Sequence, residues 1–164
     1  MLILGIDPGT LVTGYGLVSA KDHHFSAIDY GCIRPSLKDK LTDRYLYIYN
    51  GIKELLEKYQ PDALVVETQF VNKNPQSAIK LGMARGIIIL AAKKRGISVF
   101  EYAPTKIKLA VAGKGKASKF EVQRMVQLLL KLSALPEPED AADALAAAIC
   151  HANTLVFSLQ PMEI

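Results

Sequence analysis

Short apolar runs that end on an acidic residue occur twice along the chain. Leu2 to Ile6 is almost entirely apolar and leads directly into Asp7 and a Pro-Gly turn. Ala63 to Val66 repeats the arrangement and ends on Glu67. Runs of this length are typical of buried strands, and a proline followed by a glycine ends a strand at once. The pattern therefore predicts two strands, each with a carboxylate at its C-terminal tip.

The segment between the two runs predicts how the strands are arranged. Thr13 to Ala20 and Phe25 to Ile33 are β-rich and partly alternating, which predicts a hairpin and an antiparallel start of three strands. Leu41 to Tyr59 carries its apolar and aromatic residues at helical spacing, so we expect an amphipathic helix over one face of the sheet. A helix that leads into a buried strand makes that strand parallel to the first. Both acidic tips would then lie at the same edge of the sheet.

The second half of the chain continues as helices around one further strand. We expect a helix over Gln76 to Arg95, a strand over Ile97 to Tyr102, and helices over Pro104 to Ala112, from a Ser118 capping box to about Leu132, and over Glu139 to Ile149. The predicted fold class is α/β, with a mixed five-stranded sheet, antiparallel over its first three strands and parallel afterwards, and helices on both faces. We expect one domain over residues 1–158 and a short tail over 159–164.

The last predicted helix adds two acids to those at the strand tips. Asp140 and Asp143 are three residues apart in its first turn, so they project from one face, while alanines let the helix lie close to the sheet. Acids in a first turn also complement the helix dipole, which explains Asp140 more readily than Asp143. With Asp7 and Glu67 they make four carboxylates. Two Mg²⁺ would neutralise them, activate a water and stabilise the departing oxygen of a phosphodiester.

Gly82 and Gly86 lie four residues apart in the predicted helix over Gln76 to Arg95, which is apolar nearly all round. Glycines at this spacing permit a close backbone approach, either inside the core or at a homodimer interface. The sequence leaves both interpretations open. His23 and His24 fall in the predicted hairpin turn, where we expect them to face solvent.

The amino-acid composition narrows the class of molecule that the protein is expected to bind. The 164 residues carry a net charge of +4, and once the four acids are set aside, 20 Lys and Arg face the 12 that remain of 16 Asp and Glu. A basic body around an acidic cluster suits a metal-dependent enzyme that acts on a polyanion. Cys32 and Cys150 show neither metal-ligand spacing nor disulfide density, and no apolar run approaches the ~18 residues of a membrane span. We therefore expect reduced thiols and a cytoplasmic protein without membrane association.

The motifs that carry the four acids resemble those of the RuvC family of Holliday-junction resolvases, within the ribonuclease H-like superfamily. LGIDPGT contains Asp7, VVETQF contains Glu67, DAADALA contains Asp140 and Asp143, and KLGMARG lies between them in the chain. The resemblance covers nearly the whole chain in the right order and spacing. It implies that the four acids are catalytic and hold two Mg²⁺ per subunit, with Mn²⁺ as a substitute.

The resemblance also implies an activity and partners. A homodimer would make paired, symmetric nicks in four-way junction DNA, leaving 5′-phosphate and 3′-hydroxyl ends, and would work with the RuvA and RuvB branch-migration proteins. Some relatives place a histidine at one of the last two acidic positions. Both are Asp here, so we expect His151 to lie at the surface or at the helix end.

Several residues outside the acidic cluster are candidates for DNA contact. The resemblance points to Phe70 as a ring that meets an unpaired base near the crossover, and to Lys108 and Lys119 as residues that bind junction DNA. Lys114 and Lys116, in a flexible basic loop, are further candidates for the same surface. From the residues alone, a lone Phe is more often in a core and a lone Lys more often faces solvent.

Other functional classes fit parts of the pattern. A sugar kinase or ATPase of the actin type uses a similar GID-x-GT turn to hold phosphate, but that architecture needs two such domains and roughly twice this length. A non-catalytic junction-binding module could lack the acids, and all four are present. The main alternative is a ribonuclease H-like nuclease with another nucleic-acid substrate, because the same carboxylate chemistry serves many substrates.

Overall fold

The computed structural model describes residues 1–22, 24–68, 74–156 and 161–164 of the chain. Within these residues, five strands form one mixed sheet and five helices cover its two faces. In chain order the elements are β1 (Leu2–Asp7), β2 (Thr13–Lys21), β3 (His24–Ile33), α1 (Leu41–Tyr59), β4 (Ala63–Glu67), α2 (Pro75–Lys93), β5 (Ser98–Tyr102), α3 (Pro104–Ala112), α4 (Lys119–Leu129) and α5 (Glu139–Val156).

The strand order across the sheet is β3-β2-β1-β4-β5. The β1–β2 and β2–β3 pairs are antiparallel, whereas β1–β4 and β4–β5 are parallel. Ile6 lies opposite Val66, so the C-terminal tips of β1 and β4 are neighbours. The predicted fold class is therefore confirmed, and the helix between β3 and β4 returns the chain as the periodicity of Leu41–Tyr59 indicated.

Each face of the sheet has its own core. Helices α1 and α2 cover one face, where large aliphatic side chains such as Leu4, Ile52 and Ile88 are fully buried. Helices α3, α4 and α5 cover the other face, and the part of this core that α5 supplies consists largely of alanines. The two faces thus differ in how closely a helix can approach the strands.

Helix α5 lies almost directly on the backbone of β1 and β2. A Cβ atom added at Gly5 would overlap the carbonyl oxygen of Ala144, and one added at Gly14 would overlap the carbonyl oxygen of Asp140. Any side chain larger than a hydrogen at these positions would push the helix outward. The small residues on both sides of this contact set the distance between α5 and the acidic edge of the sheet, which we define as the edge formed by the tips of β1 and β4, where Asp7 and Glu67 lie.

Helix α5 extends to Val156, seven residues beyond its predicted end, and this makes the prediction for His151 wrong. His151 is fully buried, its Nδ1 shares a 2.8 Å hydrogen bond with the Tyr102 hydroxyl, and its ring lies 4.4 Å from that of Phe100. Burial lowers the pKa of His151 to about 4, so the ring is neutral at physiological pH. Of the other histidines, His24 is exposed at the start of β3 as expected, and His23 lies outside the described residues.

The end of the chain returns to the sheet. Glu163 forms a bridge with Phe100, and the Ile164 amide donates to the Val99 carbonyl at 3.0 Å, so these residues lie along the outer edge of β5. The domain boundary predicted at residue 158 falls outside the described residues and stays a prediction. Both cysteines are free, and no helix among the described residues is long and apolar enough to cross a membrane.

The contact between α5 and β1 predicts a large effect of a single methyl group. Gly5→Ala should lower the free energy of unfolding by roughly 3 kcal/mol or more, because the overlap involves helix backbone that cannot rotate away. Urea unfolding followed by circular dichroism measures this. Gly115→Ala is the control, since its Cβ would meet no atom closer than 3.4 Å and should change stability by less than about 0.5 kcal/mol. Equal stability of the two variants would contradict the close approach of α5.

Candidate active site

Two of the predicted acids are the last residues of neighbouring parallel strands. Asp7 ends β1 and Glu67 ends β4. The turn after Asp7 is held by the buried Thr13, whose hydroxyl donates to the Gly9 carbonyl at 2.8 Å. Beyond Glu67, the Thr68 amide donates to the carbonyl of Tyr102 at 2.9 Å. Both strand tips are therefore fixed by hydrogen bonds just beyond the acid.

The other two acids come from the first turns of α5. Asp140 lies where the helix backbone passes directly over Gly14, which is the partner of Asp7 in the β1–β2 register. Asp143 follows one turn further along, with its side chain 24% exposed. Because α5 runs along β1 and β2 from this end, its first two turns lie at the acidic edge. The structure thus brings all four predicted carboxylates to the same edge of the sheet.

Burial, together with repulsion from neighbouring acids, raises the pKa values of Asp7, Glu67 and Asp143. The pKa of Asp7 is raised to about 7, chiefly by burial and then by the charges of Asp143, Glu67 and Asp140. Burial, followed by the charge of a neighbouring acid, also raises the pKa of Glu67, and burial raises that of Asp143. Carboxylates that are brought together in a poorly solvated place resist full ionisation. The cluster therefore carries negative charge that the protein alone does not fully neutralise.

Two of the predicted DNA-contact lysines lie beside this cluster. Lys119, the first residue of α4, places its Nζ 3.4 Å from Asp143 Oδ2 and 3.5 Å from Glu139 Oε2. Lys108, half-buried on α3, lowers the pKa of Glu67 by its charge. Their two ammonium groups offset part of the charge of four acids. The remainder is available to attract a cation.

The four carboxylates are suitable ligands for a hard divalent cation, although their side chains do not converge on one point. Within the described residues, no three Asp, Glu, His or Cys side chains are arranged around a common point that could hold a metal ion. Carboxylate oxygens are nevertheless the ligands that Mg²⁺ and Mn²⁺ prefer, and such a cation would neutralise the negative charges that, after burial, raise the pKa of Asp7. We conclude that the chemistry of the residues fits the metal.

The remaining predicted DNA contacts are less closely tied to the cluster. Lys114 forms an ion pair with Glu121 at 2.5 Å, in the first turn of α4, and Lys116 is exposed in the same loop. Phe70 lies outside the described residues, so its predicted contact with a base stays a prediction. The Ser118 capping box that positions the start of α4 is present as predicted.

Glu139 is a site residue that the sequence interpretation missed. Its carboxylate reaches Lys119 only because the start of α4 packs beside the start of α5, with 19 residues between them in the chain. No local pattern signals that pairing. An acid immediately before Asp140 looks like one more residue that complements the helix dipole.

Four carboxylates at the edge of a mixed sheet of this topology, with a helix delivering two of them, define a nuclease of the ribonuclease H-like class. A family model described as "Crossover junction endodeoxyribonuclease RuvC" matches residues 3–151. The chain belongs to the RuvC family. It is 61% identical over 163 residues to the crossover junction endodeoxyribonuclease RuvC of Protochlamydia amoebophila, covering 99% of this chain and 97% of the relative.

Solved structures of the family agree with the fold over its full length. The chain is similar to the RuvC structure from Thermus thermophilus with a TM-score of 0.89 and 33% identity, covering 99% of this chain and 100% of that one. Its similarity to the T. thermophilus RuvC in complex with a Holliday junction substrate has a TM-score of 0.90 at 31% identity, with the same coverage. The predicted family and its ribonuclease H-like fold are confirmed.

The raised pKa of Asp7 predicts how stability depends on pH in the absence of metal. A carboxyl whose pKa rises from 3.8 to about 7 on folding destabilises the protein progressively between those pH values, because the unfolded chain loses its proton first. Asp7→Asn removes this effect. In EDTA at pH 8 the variant should be more stable than wild type, by at most about 4 kcal/mol, and the difference should disappear by pH 4.

Urea unfolding in EDTA across this pH range measures the effect. Asp22→Asn is the matched control, because this exposed acid lies in the β2–β3 turn, where its φ of 49° suits asparagine. It should follow wild type at every pH. If Asp7→Asn also followed wild type from pH 4 to pH 8, Asp7 would not lie in a crowded acidic cluster.

Proposed function

We propose that this protein resolves four-way DNA junctions by metal-dependent hydrolysis of phosphodiesters at the Asp7, Glu67, Asp140 and Asp143 cluster. The observation that carries the proposal is the meeting of these four acids at one edge of the sheet, in a chain similar over 99% of its length to a RuvC bound to a Holliday junction. Membership of the RuvC family supports the reaction class. The proposed nuclease domain spans residues 1–158.

The four carboxylates would hold two Mg²⁺ ions, with Mn²⁺ as a substitute. When bound, the cations supply activation of the attacking water and neutralisation of charge at the departing oxygen. The protein's part is to position the acids: Asp7 and Glu67 lie on strand tips, and Asp140 and Asp143 lie on a helix whose backbone packs directly against Gly14. Hydrolysis at the 3′ oxygen would leave 5′-phosphate and 3′-hydroxyl ends that a ligase can join.

The lysines around the cluster supply affinity for the DNA backbone. Lys108 and Lys119 lie beside the acids, and the loop with Lys114 and Lys116 extends the same basic surface along the start of α4. Contacts to phosphates bind DNA of any sequence. We assign Phe70 the contact with an unpaired base at the branch point, where an aromatic ring can stack.

Paired nicks require two active sites, and α2 provides a surface on which a second copy can dock. Ile79, Met83 and Leu90 are 64%, 53% and 54% exposed, and with Gly86 they follow one stripe of the helix. Among the described residues, a Cβ at Gly82 or Gly86 would meet no atom within 4 Å, so neither glycine is needed for packing against them. This favours the homodimer interface over the core interpretation. Association with RuvA and RuvB is part of the same proposal and is supported by family membership.

The test of the proposed function compares substrates at equal concentration in Mg²⁺. The protein should cut a four-way junction symmetrically, and cut a plain duplex and an RNA–DNA hybrid far more slowly. Asp7→Asn, Glu67→Gln, Asp140→Asn and Asp143→Asn should each lower the cleavage rate more than about 100-fold, since loss of an outer-shell partner alone costs 10- to 100-fold. Junction binding should remain, because the lysines supply it.

Two results would overturn the proposal. Preferential cutting of the hybrid would move the protein to the ribonuclease H-like alternative with another substrate. A variant of one of the four acids that cuts the junction at the wild-type rate would remove that residue from the site. Binding of labelled junction in EDTA separates loss of chemistry from loss of affinity.

The dimer predicts that a charge in the stripe of α2 produces monomers. Ile79→Asp should shift the protein from dimer to monomer, because an unpaired carboxylate would be buried between the two copies. Sedimentation velocity measures the mass. Leu128→Asp, at an equally exposed apolar residue of α4, is the matched control and should stay dimeric. A dimer that survives Ile79→Asp and dissociates with Leu128→Asp would place the interface on α4 instead.

A further inference from the structure

Lys119 bridges two acids that differ in solvent exposure and in proposed role. Its ammonium lies 3.4 Å from Asp143 Oδ2 and 3.5 Å from Glu139 Oε2, so one cation bridges both. The Asp143 side chain is 24% exposed, whereas Glu139 is 64% exposed at the outer rim of the cluster. Asp143 has a place among the proposed metal ligands. Glu139 is not one of these ligands, and the proposed chemistry gives it no role.

The two ion pairs restrain the position of the Lys119 ammonium. Lysine carries a compact charge with three donors on a flexible stem, and it exchanges readily between anionic partners. A DNA phosphate that approaches the cluster is a third anion within reach of the same ammonium. Glu139 and the phosphate therefore compete for one cation.

We propose that Glu139 is a positioning residue that competes with the DNA backbone for Lys119 and so weakens junction binding at the active site. This inference rests on the proposed function, because it takes DNA as the substrate of the cluster. Backbone phosphate must displace the carboxylate before Lys119 can contact the DNA. The Lys119–Glu139 pair thus restrains binding in a protein that is otherwise basic.

Stabilisation of the fold does not account for the pair. Lys119 and Glu139 are 63% and 64% exposed, and ion pairs between such side chains contribute between nothing and about 1 kcal/mol. The start of α4 is already held by the Ser118 capping box and by the Lys114–Glu121 pair. Loss of the Glu139 carboxylate should therefore leave the fold intact and act on binding.

The magnitude follows from the salt dependence of phosphate contacts. Each lysine that pairs with a backbone phosphate adds about 0.9 to the slope of log affinity against log salt. If Glu139 holds Lys119 back, its removal should restore up to one such contact. Between 50 and 200 mM salt, a slope that is steeper by 0.9 corresponds to a fall in affinity that is about three- to fourfold larger.

The experiment measures binding of a labelled four-way junction in EDTA, between 50 and 200 mM salt, by fluorescence anisotropy. From 50 to 200 mM salt, the affinity of Glu139→Gln should fall about three- to fourfold further than that of Glu137→Gln, and at 50 mM salt Glu139→Gln should bind more tightly. Glu137→Gln is the matched control, because it changes the net charge equally at an exposed residue just before α5. In a Lys119→Met background, Glu139→Gln should have no more effect than Glu137→Gln.

Equal binding by the two glutamine variants would overturn the proposal, as would a Glu139→Gln gain that persists without Lys119. Melting temperatures of all variants within a degree or two of wild type confirm that binding is compared between folded proteins. Repeating the titration with a plain duplex distinguishes failure of the proposed function from failure of the proposed Glu139–Lys119 competition. Failure to prefer the junction would count against the proposed substrate, whereas the Glu139–Lys119 competition would still appear on duplex phosphates.

Discussion

The arrangement of the site depends on the contact between the backbone of α5 and the backbones of β1 and β2. Glycines on the strands and alanines on the helix remove side chains that would hold the two apart at Gly5 and Gly14. A helix with ordinary side chains packs about 10 Å from a neighbouring layer, and its first turns would then lie further from the strand tips. The missing side chains are therefore what brings Asp140 and Asp143 to the acidic edge.

Because of this close contact, the two faces of the sheet bury side chains of different size. Helix α5 buries mostly alanines on its face of the sheet, and these contribute less hydrophobic stabilisation per residue than leucine or isoleucine. The α1 and α2 face buries large aliphatic residues against the same strands. The cluster of acids adds a further destabilising effect, seen in the raised pKa of Asp7. The large side chains that offset these effects on the α5 face include Ile107 and Val111 on α3 and Val126 on α4.

The elements that were predictable from sequence are those whose pattern is local. The helical stripe of Leu41–Tyr59 and the two strands that end on acids follow directly from periodicity, and α1 and α3 have their predicted bounds. The end of α5 was not predictable in this way. The polar residues after Ile149 resemble a helix end, but His151 finds the Tyr102 hydroxyl on β5 as a buried partner. A hydrogen bond to a strand that is distant along the chain produces no local sequence pattern.

The same distinction applies within the active site. The four acids could be predicted because each lies at a position that secondary structure defines, a strand tip or a helix start. The charges around them could not, because pairing depends on how α4 packs against α5. The sequence counts Lys114 and Lys119 as cations for DNA, whereas the structure pairs both with carboxylates of the same chain. The count of lysines and arginines therefore overstates the positive charge without an internal partner at this edge. Contact of these lysines with a DNA backbone would exchange internal ion pairs for contacts with phosphate, so the count of lysines and arginines alone does not determine the affinity.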